Sequence, residues 1–229
     1  MDERIISKTL TGLVEGFMAR TRFFRVWKKG LVEPGMARSF LLSFDALVKS
    51  FPSLIAAGAA RARDERTRTV LAVNLFQECG EGDVRRTHYA IYRKYLATAG
   101  LGRMEGPEPD FAVQWRDALL AYISGPCEPS AAMGALAAGE FLAQPVLSRI
   151  YPILKALYPE ADQEYFTKHL DLETEHVREI TELLAGQVHD EKEWNNVLDG
   201  FKFGLKVWET YFENLAEFIS KTQVQPKVS

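Results

Sequence analysis

Apolar residues recur at three- and four-residue intervals along most of the chain, and no convincing strand pair or hairpin signal interrupts them. The spacing predicts a first helix from about Glu3 to Arg20, then an aromatic, basic stretch, Phe23-Phe24-Arg25-Val26-Trp27-Lys28-Lys29, ending at Gly30. Pro34-Gly35 opens a long helix through Ser50, continued or kinked at Pro52, that reaches about Arg63. Asp64 has the character of an N-cap for a helix to Cys79, broken by Gly80 and Gly82. A further helix covers Asp83 to Thr98 and ends at Gly100-Leu101-Gly102. Glu105 to Asp110 reads as a connecting loop, Phe111 to Ser124 as a helix, and Gly125-Pro126 as a turn. Ala131 to Leu157, rich in Ala, Gly and Leu, should bend at Pro145 and Pro152; Ala161 to Ala185 and Glu191 to about Ser220 complete the set. The expectation is an all-α domain of seven or eight helices over residues 1–220, with 221–229 as a flexible tail.

One predicted helix departs from a plain core pattern. At roughly 100° per residue, Phe166, His169, Glu173, His176, Ile180, Leu183 and Leu184 fall on one face, while Lys168, Asp171, Glu175, Arg178 and Glu179 project from the other. Two imidazoles and a carboxylate thus occupy an apolar stripe, where unpartnered polar groups cost several kcal/mol, on the order of 2–7. A bound metal would satisfy all three. A hydrogen-bonded core histidine and a buried Glu–His pair are the plainer alternatives.

The chain has 229 residues, 47% of them hydrophobic, with a formal net charge of −3. That is enough for one substantial core. The balance supplies no basic field for nucleic acid and no polybasic membrane patch. No unbroken apolar run approaches the roughly 18 residues of a spanning helix, and MDERIISKTL lacks a signal peptide's apolar centre. Cys79 and Cys127 make neither a disulfide framework nor a zinc cluster, so a reducing cytoplasm is the expected setting. A homodimer is left open.

Of the four histidines, His88 shares a predicted face with Val84, Ile91 and Tyr95, and His189 falls in a connection beside Gly186 and Asp190. Glu78 shares a face with Leu71 and Leu75 at the end of its helix, where an exposed carboxylate is the alternative; Glu81 is the reserve candidate. Glu140 sits among Leu136, Leu147, Tyr151 and Leu154, with an ion pair to Arg149 as its alternative. Three Glu and three His suit two iron or manganese ions and carry too much oxygen for structural zinc. A ferritin-like bundle is disfavoured, because Glu-x-x-His occurs once, at Glu173 to His176, and that class uses two.

Asn74-x3-Glu78, His88, Glu140 and His169-x3-Glu173-x2-His176 together resemble the ligand pattern of the haem-oxygenase-like di-iron oxidases and oxygenases. Trp27-x-x-Gly30 and Phe51-Pro52 resemble helix ends of that fold, which thiaminase-like and pyrroloquinoline-quinone-synthase-like proteins share. The resemblance implies a haem-oxygenase-like bundle binding two Fe(II) ions through Glu78, His88, Glu140, His169, Glu173 and His176, with O2 as co-substrate. Where the family usually has Asp, this chain has Glu173. Where its para-aminobenzoate synthases consume a tyrosine, it has Phe24. The activity implied is oxidative chemistry on a small amino acid or carboxylic acid: C–C cleavage, decarboxylation, N-oxygenation or nitrile formation. Arg85, Tyr89, Tyr92, Phe141 and Tyr151 are the expected substrate contacts, with Arg86, Arg93 and Arg149 as other sources of positive charge. A metal-free enzyme of the same fold and a non-catalytic interaction protein are the competing readings.

Overall fold

A computed structural model describes residues 1–28, 31–102 and 108–224, without the side chains of 172–174 and 222–224. Among these, nine α-helices and one 3₁₀ turn follow in order: α1 (Glu3–Arg20), α2 (Arg22–Val26), α3 (Pro34–Arg61), α4 (Glu65–Glu78), the 3₁₀ turn Gly80–Gly82, α5 (His88–Thr98), α6 (Asp110–Ser124), α7 (Pro129–Leu157), α8 (Glu164–Gln187) and α9 (Glu191–Val224). No strand occurs among the described residues.

α7 is the axis of the fold. Every residue from Ser130 to Leu142 is buried, and α1, α3, α6, α8 and α9 all pack on the helix. Its run of Ala and Gly permits this, because small side chains let neighbouring backbones approach closely. At Gly134 an added Cβ would stand 2.1 Å from the Val197 carbonyl oxygen, and at Gly200 an added Cβ would stand 1.9 Å from the Ala131 oxygen. α7 and α9 therefore touch backbone to backbone. Pro145 and Pro152 are both accommodated within α7.

Several details differ from the sequence expectation. The aromatic stretch after α1 contains a helix of its own, five residues long, which turns Phe23 and Phe24 into the core against Phe212. Phe51-Pro52, likened to a helix end by the family resemblance, lies inside α3, which continues to Arg61 as the apolar spacing predicts. α9 continues past Ser220 to Val224, with Lys221 bonded to Glu217 at 2.6 Å. Gly30, the first half of the Glu105–Asp110 loop and the last five residues lie outside the described set.

α3 meets the average length and hydropathy of a spanning helix, which a count of unbroken apolar residues had missed. Its most apolar window is 56% buried among neighbouring helices, so it serves here as a core helix.

Candidate metal centre

Glu78 and His88 are ten residues apart, and a single turn brings them together. Glu78 ends α4 on the buried face of Leu71 and Asn74. Gly80, Glu81 and Gly82 then take left-handed φ values of 73°, 56° and 90°. At Gly80 a Cβ would stand 2.5 Å from the Thr87 amide nitrogen and 2.6 Å from the Arg86 carbonyl carbon. Only glycine lets the chain double back so tightly. Thr87 accepts a hydrogen bond from the Ala90 amide at 3.0 Å, capping α5 so that His88 becomes its first residue. The sequence expectation started this helix at Asp83 and put Val84 on the face of His88. Residues 83–87 instead form a turn, and Val84 is 79% exposed. Glu81, the reserve candidate, is exposed on the turn.

α8 presents His169 and His176 two turns apart on its inward side, and α7 presents Glu140. His169 Nδ1 lies 2.7 Å from the Tyr165 carbonyl oxygen. A carbonyl only accepts, so Nδ1 carries the hydrogen and Nε2 keeps its lone pair for a ligand. His88 stands edge-on to His169 with ring centroids 4.5 Å apart, and its Nδ1 is 2.8 Å from Glu78 Oε1. Glu78, His88 and His169 each offer a ligand atom within 4.8 Å of the others. Beside them, His176 Nδ1 lies 3.6 Å from Glu140 Oε2. Arg149, the alternative partner of Glu140, instead donates to the Phe24 carbonyl at 2.8 Å. Glu173 belongs to α8, but its side chain lies outside the described residues. His189 is exposed in the α8–α9 connection.

The protonation states favour a cation. Burial alone would raise the Glu78 carboxyl, but the imidazoles of His88, His169 and His176 outweigh it and hold the group below its usual value. Burial pushes His169 down to about 4, helped by the neighbouring His88. Near neutral pH the first is a carboxylate and the second a neutral imidazole, the forms that bind metals. Neither ring nitrogen of His88 has an aligned hydrogen-bond partner among the described residues, despite the 2.8 Å approach to Glu78. A buried imidazole lacking aligned partners, next to buried carboxylates, fits a metal better than a hydrogen-bonded core cluster. The mixture of carboxylate and imidazole donors suits iron or manganese.

Glu78, Glu140, His169 and His176 line one cavity of about 80 Å³. Facing them, Phe44, Leu47, Val48 and Phe51 of α3 and Trp208 and Phe212 of α9 form an apolar wall. No Lys or Arg lines it among the described residues.

The expected substrate contacts are not among the lining residues. Arg85 is 86% exposed and paired with Asp83 at 2.9 Å, Tyr89 bonds Asp45 at 3.3 Å, and Tyr92 donates to the Leu41 carbonyl at 2.6 Å. Phe141 packs on Phe201, and Tyr151 stacks on Phe166. Arg93 is held by Asp45. Nearness in sequence had suggested these residues, yet a helix turns the next residue away by roughly 100°. The cavity wall from α3 and α9 was missed, since its stripes have the ordinary spacing of core helices and nothing in sequence distinguishes a stripe that faces a hole.

Residues 38–209 match the family described as iron-containing redox enzymes. No curated protein matches the chain. Among solved structures, a CADD-like protein of unknown function from Nostoc punctiforme is similar, with a TM-score of 0.78 at 16% identity, covering 94% of this chain and 99% of that one. A domain of unknown function with a heme oxygenase-like fold from Shewanella denitrificans gives a TM-score of 0.74 at 14% identity, covering 99% and 97%. These likenesses establish a haem-oxygenase-like fold. With most of its length matched, the chain belongs to the iron-containing redox enzyme family.

Proposed function

We propose that the protein is an O2-dependent non-haem di-iron oxidase or oxygenase acting on a small, largely apolar carboxylic acid or amino acid, by C–C cleavage, decarboxylation, N-oxygenation or nitrile formation. The observation that carries this reading is the buried Glu78–His88–His169 set beside Glu140–His176, opening on a cavity whose other wall is apolar. Glu78, His88 and His169 would hold one ion, and Glu140 and His176 would supply donors for the second. Glu173 joins them by its place in the ligand pattern. Ferrous ions bound there supply electrons and open positions for O2.

The remaining chemistry lies with the chain's own groups. The Tyr165 carbonyl fixes the His169 tautomer, so that Nε2 faces its ligand without prior rearrangement. Phe44, Leu47, Val48 and Phe51 exclude water and take up an apolar chain. With no guanidinium or ammonium in the wall among the described residues, the acid end of a substrate finds its positive partner at the ion site. This replaces the arginine anchor expected from sequence. Ferrous titration under anaerobic conditions is expected to reach close to two ions per chain, and O2 uptake by the loaded protein should rise with at least one acid of a broad panel. Absence of ferrous binding overturns the reading.

A further inference from the structure

Outside the cavity, α1, α2 and α7 border a surface groove of about 970 Å³. Its floor is apolar: Val14, Phe24 and Phe141 are buried, and Met18, Pro145 and Val177 are partly so. Its charge is one-sided. Arg25, Lys28 and Arg149 line the groove and are exposed, against one acid among the described lining residues, Glu15 of α1. Many of the chain's arginines are engaged in ion pairs, Arg20, Arg63, Arg93 and Arg178 among them. Among the described residues these three cations are in none. Arg149 is held by its bond to the Phe24 carbonyl at 2.8 Å, which uses one guanidinium N–H and leaves the others to donate elsewhere. Lys28 and Arg149 also line an adjoining recess with Trp27, Pro152 and Ile153, so the positive charge stands where two apolar recesses meet. From Thr11 to Ala19 on α1, and from Phe141 to Arg149 on α7, the groove runs about 12 Å at the helical rise.

We propose that this groove is a binding site for a single-chain amphiphile with a phosphate head, taken up from solution. The head lies among Arg25, Lys28 and Arg149, and the tail covers the floor of Val14, Met18, Phe24 and Phe141. The site is separate from the cavity and needs no metal, so it stands independently of the proposed function. A phosphate monoester carries nearly two negative charges at neutral pH and accepts paired hydrogen bonds from a guanidinium, which suits three gathered cations better than a single carboxylate does. The apolar floor gains from a hydrocarbon chain and gives nothing to a bare anion. A membrane surface is the poorer occupant, because the floor is recessed and polybasic lipid-binding segments gather about four to eight cations.

The test is calorimetric binding to the metal-free full chain, with decyl phosphate kept monomeric and compared with butyl phosphate, inorganic phosphate and decanol. Decyl phosphate should bind at least about 10-fold more tightly than each of the others, since only it engages both floor and cations. Arg25→Ala combined with Lys28→Ala, two exposed positions, should weaken it about 3- to 10-fold and leave the melting temperature unchanged. Wild-type protein gives the location without a variant: amide resonances of Ala19, Gln144 and Ser148 should shift on addition of decyl phosphate. Shifts confined to Leu47 and Val48 would put the ligand in the cavity and overturn the assignment. Equal binding of inorganic or butyl phosphate would reduce the groove to an anion site, and equal binding of decanol would remove the role of the cations; either overturns the proposal. So does co-sedimentation with phosphatidylglycerol vesicles by a protein that fails to bind monomeric decyl phosphate, which would assign the face to a membrane.

Discussion

α7 has two faces built on opposite principles. Toward α9 it is closed by backbone, with Gly134 and Gly200 leaving less room than a single methyl group needs. Toward α8 and the cavity it carries Glu140, 3.6 Å from His176, beside free space. The first face is over-determined by sterics and has one solution. The second sets a buried carboxylate beside a buried imidazole with no Lys or Arg in the cavity wall among the described residues, an arrangement that suits a cation. The seam thereby gives Glu140 a rigid base, which a ligand on a loop would lack.

Substitutions on the two faces should differ in sign as well as size. Gly200→Val forces a side chain into the Ala131 carbonyl and must part the helices, so a loss of about 3 kcal/mol or more is expected. For a chain of this length that is a fall of roughly 6–12 °C in the melting temperature. A melt within 2 °C of wild type would show that the seam yields easily. Glu78→Gln should do the reverse. It removes a buried charge while preserving shape, so the metal-free protein should melt at the same temperature or slightly higher. Ferrous affinity, read by anaerobic titration, should drop on the order of 100-fold, because the amide is a neutral and poorer ligand for a hard cation. A marked loss of metal-free stability would mean that Glu78 is a structural partner of His88.

The same contrast governs what was legible in the sequence. The helices were readable because apolar spacing and Gly or Pro punctuation are local signals. Glu140, His169 and His176 stood out as polar groups on apolar stripes, and the structure brings them to one cavity with Glu78. The Gly80 turn was recognised only as a break, since its function depends on Thr87 packing against it from across the turn. That error started α5 five residues early. The seam looked like featureless Ala and Gly, because close approach needs a partner helix to become visible. The apolar wall was missed for the same reason. The short α2 helix is held by Phe23 and Phe24 packing on Phe212, nearly 190 residues away, and has no local periodicity to announce it.

The smallest expected effect comes from a strap on the cavity side, between the two helices that carry the other ligand candidates. Asp64 caps α4, accepting from the Thr67 amide and hydroxyl, each at 2.8 Å, and from Gln187 of α8 at 3.4 Å. It thus ties the start of the helix bearing Glu78 to the end of the helix bearing His169 and His176. Burial works to raise its carboxyl, but the bonds from Thr67 and Gln187 prevail and hold it below the ordinary aspartate value of 3.8. A folded-state value depressed in this way gives stability that is present above the unfolded value and lost as pH falls through the folded one. Asp64→Ala should therefore cost about 1 kcal/mol, a melting shift of roughly 2–4 °C, unchanged between pH 7 and 5. Urea unfolding of both proteins should show the gap narrowing below about pH 4, where the wild-type carboxylate is itself protonated. A gap that widens on acidification would reverse the sign of the argument. Ferrous affinity should change less than three-fold, because the seam behind α7 still holds Glu140 in place when the strap is cut.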